Sequence, residues 1–147
     1  MAPYPPEIGK RLSVLLQRIR EDGKGFGRAA DNAKHPGLKD LFDEKSHQRT
    51  EFYQILKREL LDNGLPISVE TDKDKGRTWM DIKALFSTDS DEAMLREAVS
   101  VENSAMGEYD KLLSEIDLYS TTREILRSQR AMISNDKDTL KAMAGMF

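Results

Sequence analysis

Four long stretches in which apolar residues recur every three or four positions constrain the fold of this chain most strongly. The first stretch runs from about Glu7 to Ala33 and the second from about Leu38 to Asp62. The third begins at Asp89 and the fourth at Thr121, continuing to Met143. This spacing places apolar side chains on one face of an α-helix. The sequence therefore predicts four amphipathic helices and an all-α fold.

Turn-forming residues separate the four stretches. His35-Pro36-Gly37 ends the first helix because proline cannot continue a helix and disfavours one in the preceding residue. Asn63-Gly64 supplies the stop of the second helix. The third and fourth helices each begin with the spacing of a capping box, Asp89 with Glu92 and Thr121 with Glu124.

The connection between the second and third helices is long, and residues 65–89 lack a sustained helical period. Within it, Trp79 and Phe86 predict a short helix held against the bundle. The other two connections are short, so each pair of helices is expected to form an antiparallel hairpin. Two hairpins joined by a long crossover are the ferritin-like form of a four-helix bundle. We therefore predict one domain over residues 1–147, with a flexible proline-rich start at residues 1–6.

Composition excludes several classes of function. The chain has no cysteine, which rules out disulfides and thiol catalysis. Its charges are interleaved and sum to −3, without the basic stripe of a nucleic-acid binder. No window approaches the roughly 18 apolar residues that a membrane span needs. We expect a cytoplasmic protein that binds neither nucleic acid nor a membrane.

Polar residues interrupt the apolar faces near the middle of the helices. At about 100° per residue these side chains point inward, and buried charges are costly unless they are paired. The sequence therefore predicts a buried polar layer at mid-bundle, with Lys45 and Asp136 a turn or more away. The predicted members are Asp22, Arg49, Glu102 and Gln129. Such a layer either fixes the register of the helices through salt bridges or forms a ligand or ion site.

One string, Glu44-Lys45-Ser46-His47, resembles the Glu-x-x-His motif of carboxylate-bridged di-metal bundles. The helical wheel points His47 into solvent, and the comparable string on the fourth helix has Arg127 where histidine is needed. Arg49 is permanently positive and would supply the charge that a metal otherwise would. We expect no cofactor and no metal; if a metal does bind, its ligands are Asp22 and Glu102.

Two further segments have open interpretations. Gly23-Lys24-Gly25-Phe26-Gly27 lacks P-loop spacing, and its glycines indicate close packing against the crossover or a local bulge. Met132, Met143 and Met146, with Phe147, are flexible apolar residues. They either fill the core or form a surface for a protein partner or a second copy of the chain.

Several segments between Leu15 and about Asp138 together form a family pattern. They are Glu21–Phe26 with Ala29-Ala30, Leu38–Phe42, Arg49–Phe52, Trp79–Leu85, and Glu102-Asn103 with Tyr109. On these residues the chain resembles a bacterial family of ferritin-like four-helix bundles to which no function is assigned. The resemblance implies the fold and adds no reaction. True ferritins and rubrerythrins have paired Glu-x-x-His strings, which are missing here.

These observations predict a non-enzymatic helical-bundle protein, with a stress-associated role or a role in protein–protein contacts that includes self-association. The alternative is a metal-binding or oxidative-stress protein with a reduced carboxylate site at mid-bundle, built from Asp22 and Glu102.

Overall fold

The computed structural model describes residues 3–65, 79 and 91–146, and regular secondary structure in these ranges is helical only. The long helices are α1 (Pro6–Asn32), α2 (Pro36–Asp62), α3 (Asp91–Glu115) and α4 (Ser120–Ala144). The predicted all-α class with four helices is confirmed. None of the helices in the described ranges is long and apolar enough to cross a membrane.

The turn between α1 and α2 starts the second helix as well as ending the first. His35 is the N-cap of α2, and its Nδ1 accepts a hydrogen bond from the Gly37 N–H at 3.1 Å. Pro36 follows at the first helical position, where a missing N–H costs nothing. At the other end of α2, Gly64 has a φ of +81°, the left-handed conformation that glycine adopts without steric cost.

The predicted cap of the fourth helix is wrong. α4 begins at Ser120, with Tyr119 at the N-cap position and no side-chain hydrogen bond there. Thr121 lies inside the first turn, and its hydroxyl donates to Glu59 Oε2 on α2 at 2.7 Å. Spacing alone could not detect this acceptor on another helix. The predicted cap of the third helix, Asp89, lies outside the described residues.

Each helix runs antiparallel to the helices beside it. α1 packs along α2 and α3 packs along α4, while α1 also contacts α3 and α2 contacts α4. Near the start of α1, Arg11 binds Glu115 at the end of α3 at 3.0 Å. Past the end of α1, the N–H groups of Lys34 and His35 each donate to the Asp91 carboxylate at 2.9 Å. The numbering therefore runs in opposite directions on α1 and α3.

The end of α2 and the start of α3 lie at opposite ends of the bundle. Asp91 contacts the residues just before α2, and α2 is 27 residues long. A helix of that length spans about 40 Å. The crossover predicted for residues 65–89, including Phe86, lies outside the described residues except at Leu65 and Trp79.

Trp79 packs against α1 at the glycine-containing segment. Its ring lies edge-on to Phe26, with ring centroids 5.2 Å apart. A Cβ at position 25 would overlap the indole, so Gly25 makes this contact possible. Close packing is therefore the function of the glycine at this position.

One residue near the start of the described chain belongs to the core, while Pro3 and Pro5 beside it are exposed. Tyr4 is 5% exposed, and its hydroxyl donates to Thr122 Oγ1 at 2.6 Å and accepts the Tyr119 N–H at 3.0 Å. Its ring stacks on that of Tyr119, with centroids 4.4 Å apart. Residues 1–6 were predicted to be flexible, and residues 1 and 2 lie outside the described residues. At Tyr4 the structure differs from the prediction, because its ring and hydroxyl both find partners at the start of α4.

Candidate functional site

The core consists of two apolar clusters with a layer of charged and polar side chains between them. One cluster includes Ile19, Phe52, Ala105 and Ile133, and the other includes Phe26, Phe42, Val101 and Leu140. The layer lies where the helices pass from one cluster to the other, and every helix contributes to it. Its buried members, with their exposed fractions, are Asp22 (6%), Lys45 (2%), Arg49 (1%), Glu102 (0%) and Gln129 (2%).

Glu102 is the centre of the layer and is bound by two cations from α2. The Arg49 Nη2 donates to Oε1 of Glu102, and the Lys45 Nζ lies 2.6 Å from Oε2. The Lys45 contact is an ion pair without hydrogen-bond geometry. Lys45 and Arg49 are one helical turn apart, so both reach the same carboxylate. Pairing of this kind offsets the desolvation of all three groups.

The network continues from α2 to Asp136 on α4. Lys45 Nζ lies 3.0 Å from Asp136 Oδ2, and Gln48 Nε2 donates to the same oxygen at 2.7 Å. Arg49 Nη1 in turn donates to Gln48 Oε1 at 2.7 Å. The Asp136 side chain is 32% exposed, so the network reaches solvent on this side. Lys45 was predicted to lie a turn away from the layer, but its long side chain places the ammonium inside it.

Aromatic rings of the apolar clusters face the two buried cations. Lys45 Nζ lies 5.0 Å from the centre of the Phe26 ring, and Arg49 Cζ lies 5.4 Å from the same centre. Arg49 Cζ is also 5.8 Å from the centre of the Phe52 ring. The negative face of an aromatic ring attracts a cation. Phe26 and Phe52 belong to different apolar clusters, so rings from both clusters stabilise the positive charges of the layer.

Asp22 has a different partner from the one predicted. Its carboxylate accepts from Arg18 Nε at 2.9 Å, while Arg49 binds Glu102. Arg18 also donates to the Val101 carbonyl at 3.2 Å, which ties α1 to α3. Burial raises the pKa of Asp22 to about 6, and the charges of Arg18 and Arg49 oppose this rise. The i,i+4 spacing of Arg18 and Asp22 was the sequence signal for this pair.

Gln129 lies at the layer but takes its hydrogen bonds from the neighbouring cluster. Its Oε1 accepts the Tyr109 hydroxyl at 2.6 Å, and its Nε2 donates to the Phe52 carbonyl at 3.2 Å. Burial raises the pKa of Tyr109, so the phenol stays protonated and donates. Sequence reasoning counted Tyr109 only as an apolar residue, because periodicity does not detect a hydroxyl at the tip of a buried ring.

The charges of the described layer balance. Three carboxylates and three cations are joined by ion pairs, and they are Asp22, Glu102 and Asp136 with Arg18, Lys45 and Arg49. Divalent cations bind where carboxylate and carbonyl oxygens converge, and both oxygens of Glu102 already face a cation. Glu44 and His47 are exposed, and the helical wheel predicts this direction for His47. Across residues 3–65, 79 and 91–146, no three acidic or histidine side chains converge to hold a metal.

Comparison with known sequences identifies the family. A family model described as "Domain of unknown function (DUF2383)" matches residues 7–115, about three quarters of the chain. The chain belongs to this family. The DUF2383 match covers nearly all of α1 and the whole of α2 and α3, which carry Asp22, Arg49 and Glu102. It ends before α4, which carries Gln129 and Asp136. No curated protein matches the chain.

Proposed function

We propose that the protein is a ferritin-like bundle without enzymatic activity that acts through protein–protein contacts, and that its partner is a second copy of the chain. The ferritin-like connectivity is supported by two observations. Each helix is antiparallel to its neighbours, and α2 ends about 40 Å from the start of α3. A crossover along the bundle is the connection that such ends require.

The charge layer supports a structural role at mid-bundle. A metal site built from Asp22 and Glu102 would have to displace Arg18 from one carboxylate and Arg49 and Lys45 from the other. Removing one partner of a buried ion pair is costly. The balanced layer fixes the register of the helices, and the surface of the bundle is then where the protein acts. The stress-associated role stays a prediction.

An apolar groove between α2 and α4 supports the choice of surface. Ile55 is 48% exposed and Met132 is 43% exposed, and both line this groove, whose volume is about 570 Å³. Ile125 also lines the groove and is partly buried. We call the surface around these three residues the α2–α4 face. Contiguous exposed apolar surface is typical of interaction sites.

The charges around the α2–α4 face support a second copy as the partner. On α2, Glu51 and Arg58 lie four residues before and three residues after Ile55, on the same side of the helix. A two-fold axis across the face at Ile55 places Arg58 of one copy opposite Glu51 of the other. On α4, Glu124 and Arg127 lie one on each side of the height of Ile55 along the bundle. The same axis places Glu124 of one copy opposite Arg127 of the other. A symmetric dimer requires a self-complementary surface of this kind, and this charge arrangement carries the proposal.

Sedimentation velocity of the wild type and of Ile55→Glu tests the dimer. We expect a concentration-dependent dimer for the wild type and a monomer for Ile55→Glu, because a charge would be buried in the contact. Val14→Glu is the matched control, since Val14 is also apolar and 58% exposed but lies on α1. A wild type that stays monomeric at every concentration would contradict the proposal, as would equal effects of the two substitutions.

Charge exchange tests the orientation of the two copies. Arg58→Glu should weaken the dimer because it places like charges opposite each other, and Arg58→Glu combined with Glu51→Arg should restore it. Each cross-dimer pair is exposed, so the expected change is about 1 kcal/mol or less per pair, read as a shift in the dimer dissociation constant. If the double variant dimerises no more tightly than Arg58→Glu alone, this arrangement is contradicted.

A further inference from the structure

A second groove lies between α1 and α2, on the side of α2 away from the α2–α4 face. Its volume is about 420 Å³, which is within the range of small-molecule sites. Three of its lining residues are cations: Arg20 and Lys24 on α1, and Lys57 on α2. Among the described residues that line it, none is aspartate or glutamate. We call it the basic groove.

The basic groove is a local exception in an acidic protein. The whole chain has a net charge of −3, with 26 acidic side chains against 23 lysines and arginines. A cleft lined by one sign of charge concentrates ligands of the opposite sign. The positive charge concentrated in this groove is therefore a reason to look for an anionic ligand there.

The walls of the basic groove hold two of its cations in place. The ring of Tyr53 contacts both, with Arg20 Cζ and Lys57 Nζ each 5.7 Å from its centre. Two lining residues are joined directly, since the Ser46 hydroxyl on α2 donates to the Gly23 carbonyl on α1 at 2.9 Å, which fixes the two helices relative to each other. Cations held by a fixed wall lose less side-chain entropy when a ligand binds.

We infer that the basic groove binds a small molecule that carries two or more phosphate groups. A guanidinium has five N–H donors and an ammonium has three, so each cation can bind an anion while it keeps a contact within the protein. The planar donor fork of arginine matches phosphate oxygens, and lysine adds point charges. Three cations distributed over two helices match a ligand with several separated negative charges. This inference goes beyond the proposed dimer, because the basic groove and the α2–α4 face share no cation.

Isothermal titration calorimetry with sodium pyrophosphate tests the inference. We expect saturable binding to the wild type, and about tenfold weaker binding to Lys24→Gln and to Lys57→Gln, since each loses one charge-assisted contact. Lys111→Gln is the control for net charge, because Lys111 is exposed on α3, outside the groove. Its affinity should equal that of the wild type. No saturable binding at millimolar pyrophosphate would overturn the inference, and so would an equal loss in all three variants.

A titration with ADP distinguishes a nucleotide ligand from a ligand that is recognised by its phosphate groups alone. ADP and pyrophosphate both carry two phosphates, and ADP adds a nucleoside that can contact the ring of Tyr53. Tenfold tighter binding of ADP supports a nucleotide ligand, and equal affinities support recognition of the phosphates alone. Binding of ADP that is unaffected by Lys24→Gln and Lys57→Gln would place its site elsewhere and overturn the inference. The oligomeric state of both variants should equal that of the wild type, so failure here is distinguishable from failure of the dimer.

Discussion

Replacing Arg49 by methionine tests how much the charge layer stabilises the bundle. Methionine keeps much of the side-chain volume and removes the charge, so Glu102 retains Lys45 at 2.6 Å but loses Arg49. Removal of one partner from a buried ion pair costs about 3–5 kcal/mol. Because Lys45 remains, we expect a loss at the lower end of that range, about 3 kcal/mol of unfolding free energy.

The control for Arg49→Met is Arg130→Met. Arg130 also binds a carboxylate on α3, Asp110, at 2.7 Å, but the two side chains are 34% and 53% exposed. Exposed pairs of this kind contribute about 1 kcal/mol or less. The two variants therefore remove the same type of contact in a buried and in an exposed setting.

Guanidinium denaturation followed by circular dichroism at 222 nm measures both losses on one scale, provided that the denaturant slope is unchanged. The double variant Arg49→Met, Glu102→Gln should be more stable than Arg49→Met alone, because the carboxylate left with one cation fewer is then neutral. A loss for Arg49→Met no larger than that for Arg130→Met would refute the stabilising role of the layer. A double variant less stable than both single variants would refute the coupling of Arg49 to Glu102.

Three further outcomes follow from the contacts of single residues. The folded-state pKa of Asp22 is about 6, raised from 3.8, so its contribution to stability is present below pH 4 and is lost as the pH rises through 6. Asp22→Asn should therefore reduce, by up to about 3 kcal/mol, the fall in unfolding free energy between pH 4 and pH 7; parallel wild-type and variant curves would contradict this. Gly25→Ala should lower the melting temperature, with a cost of about 1–3 kcal/mol because Trp79 must move. Gly107→Ala should be neutral or stabilising, because nothing lies within 4 Å of the added Cβ; the reverse order of the two melting temperatures would contradict the packing at Trp79. Tyr109→Phe should cost about 1–3 kcal/mol in the same denaturation assay, because a buried amide oxygen loses its donor; a cost below that of Arg130→Met would contradict this role.

The directions of the inward-facing residues could be read from the sequence because an α-helix fixes the angle between successive side chains. That geometry places Arg49 and Glu102 inward and His47 outward. In the structure Arg49 and Glu102 are buried and His47 is exposed. Composition and period were also sufficient for the all-α class. The resemblance read from segments such as Trp79–Leu85 pointed to a family with no assigned function, and the match to DUF2383 agrees with that part of it.

The pairing of the charges could not be read in the same way. Lysine and arginine side chains reach more than a helical turn along the bundle, so the height of the Cα does not fix the height of the charge. Lys45 therefore lies inside the layer, and Arg18 takes the place beside Asp22 that was predicted for Arg49. Tyr4 was missed for another reason, since its partners at the start of α4 are more than a hundred positions away in the sequence.

Elemental analysis of the purified protein, combined with anomalous diffraction at the mid-bundle layer, tests most directly whether Arg49 and Lys45 hold the position beside Glu102 that a metal ion would otherwise take. We predict no stoichiometric iron, manganese or zinc, with the Arg49 guanidinium on Glu102. One metal ion per chain bound by Asp22 and Glu102, with Arg49 turned towards solvent, would contradict it.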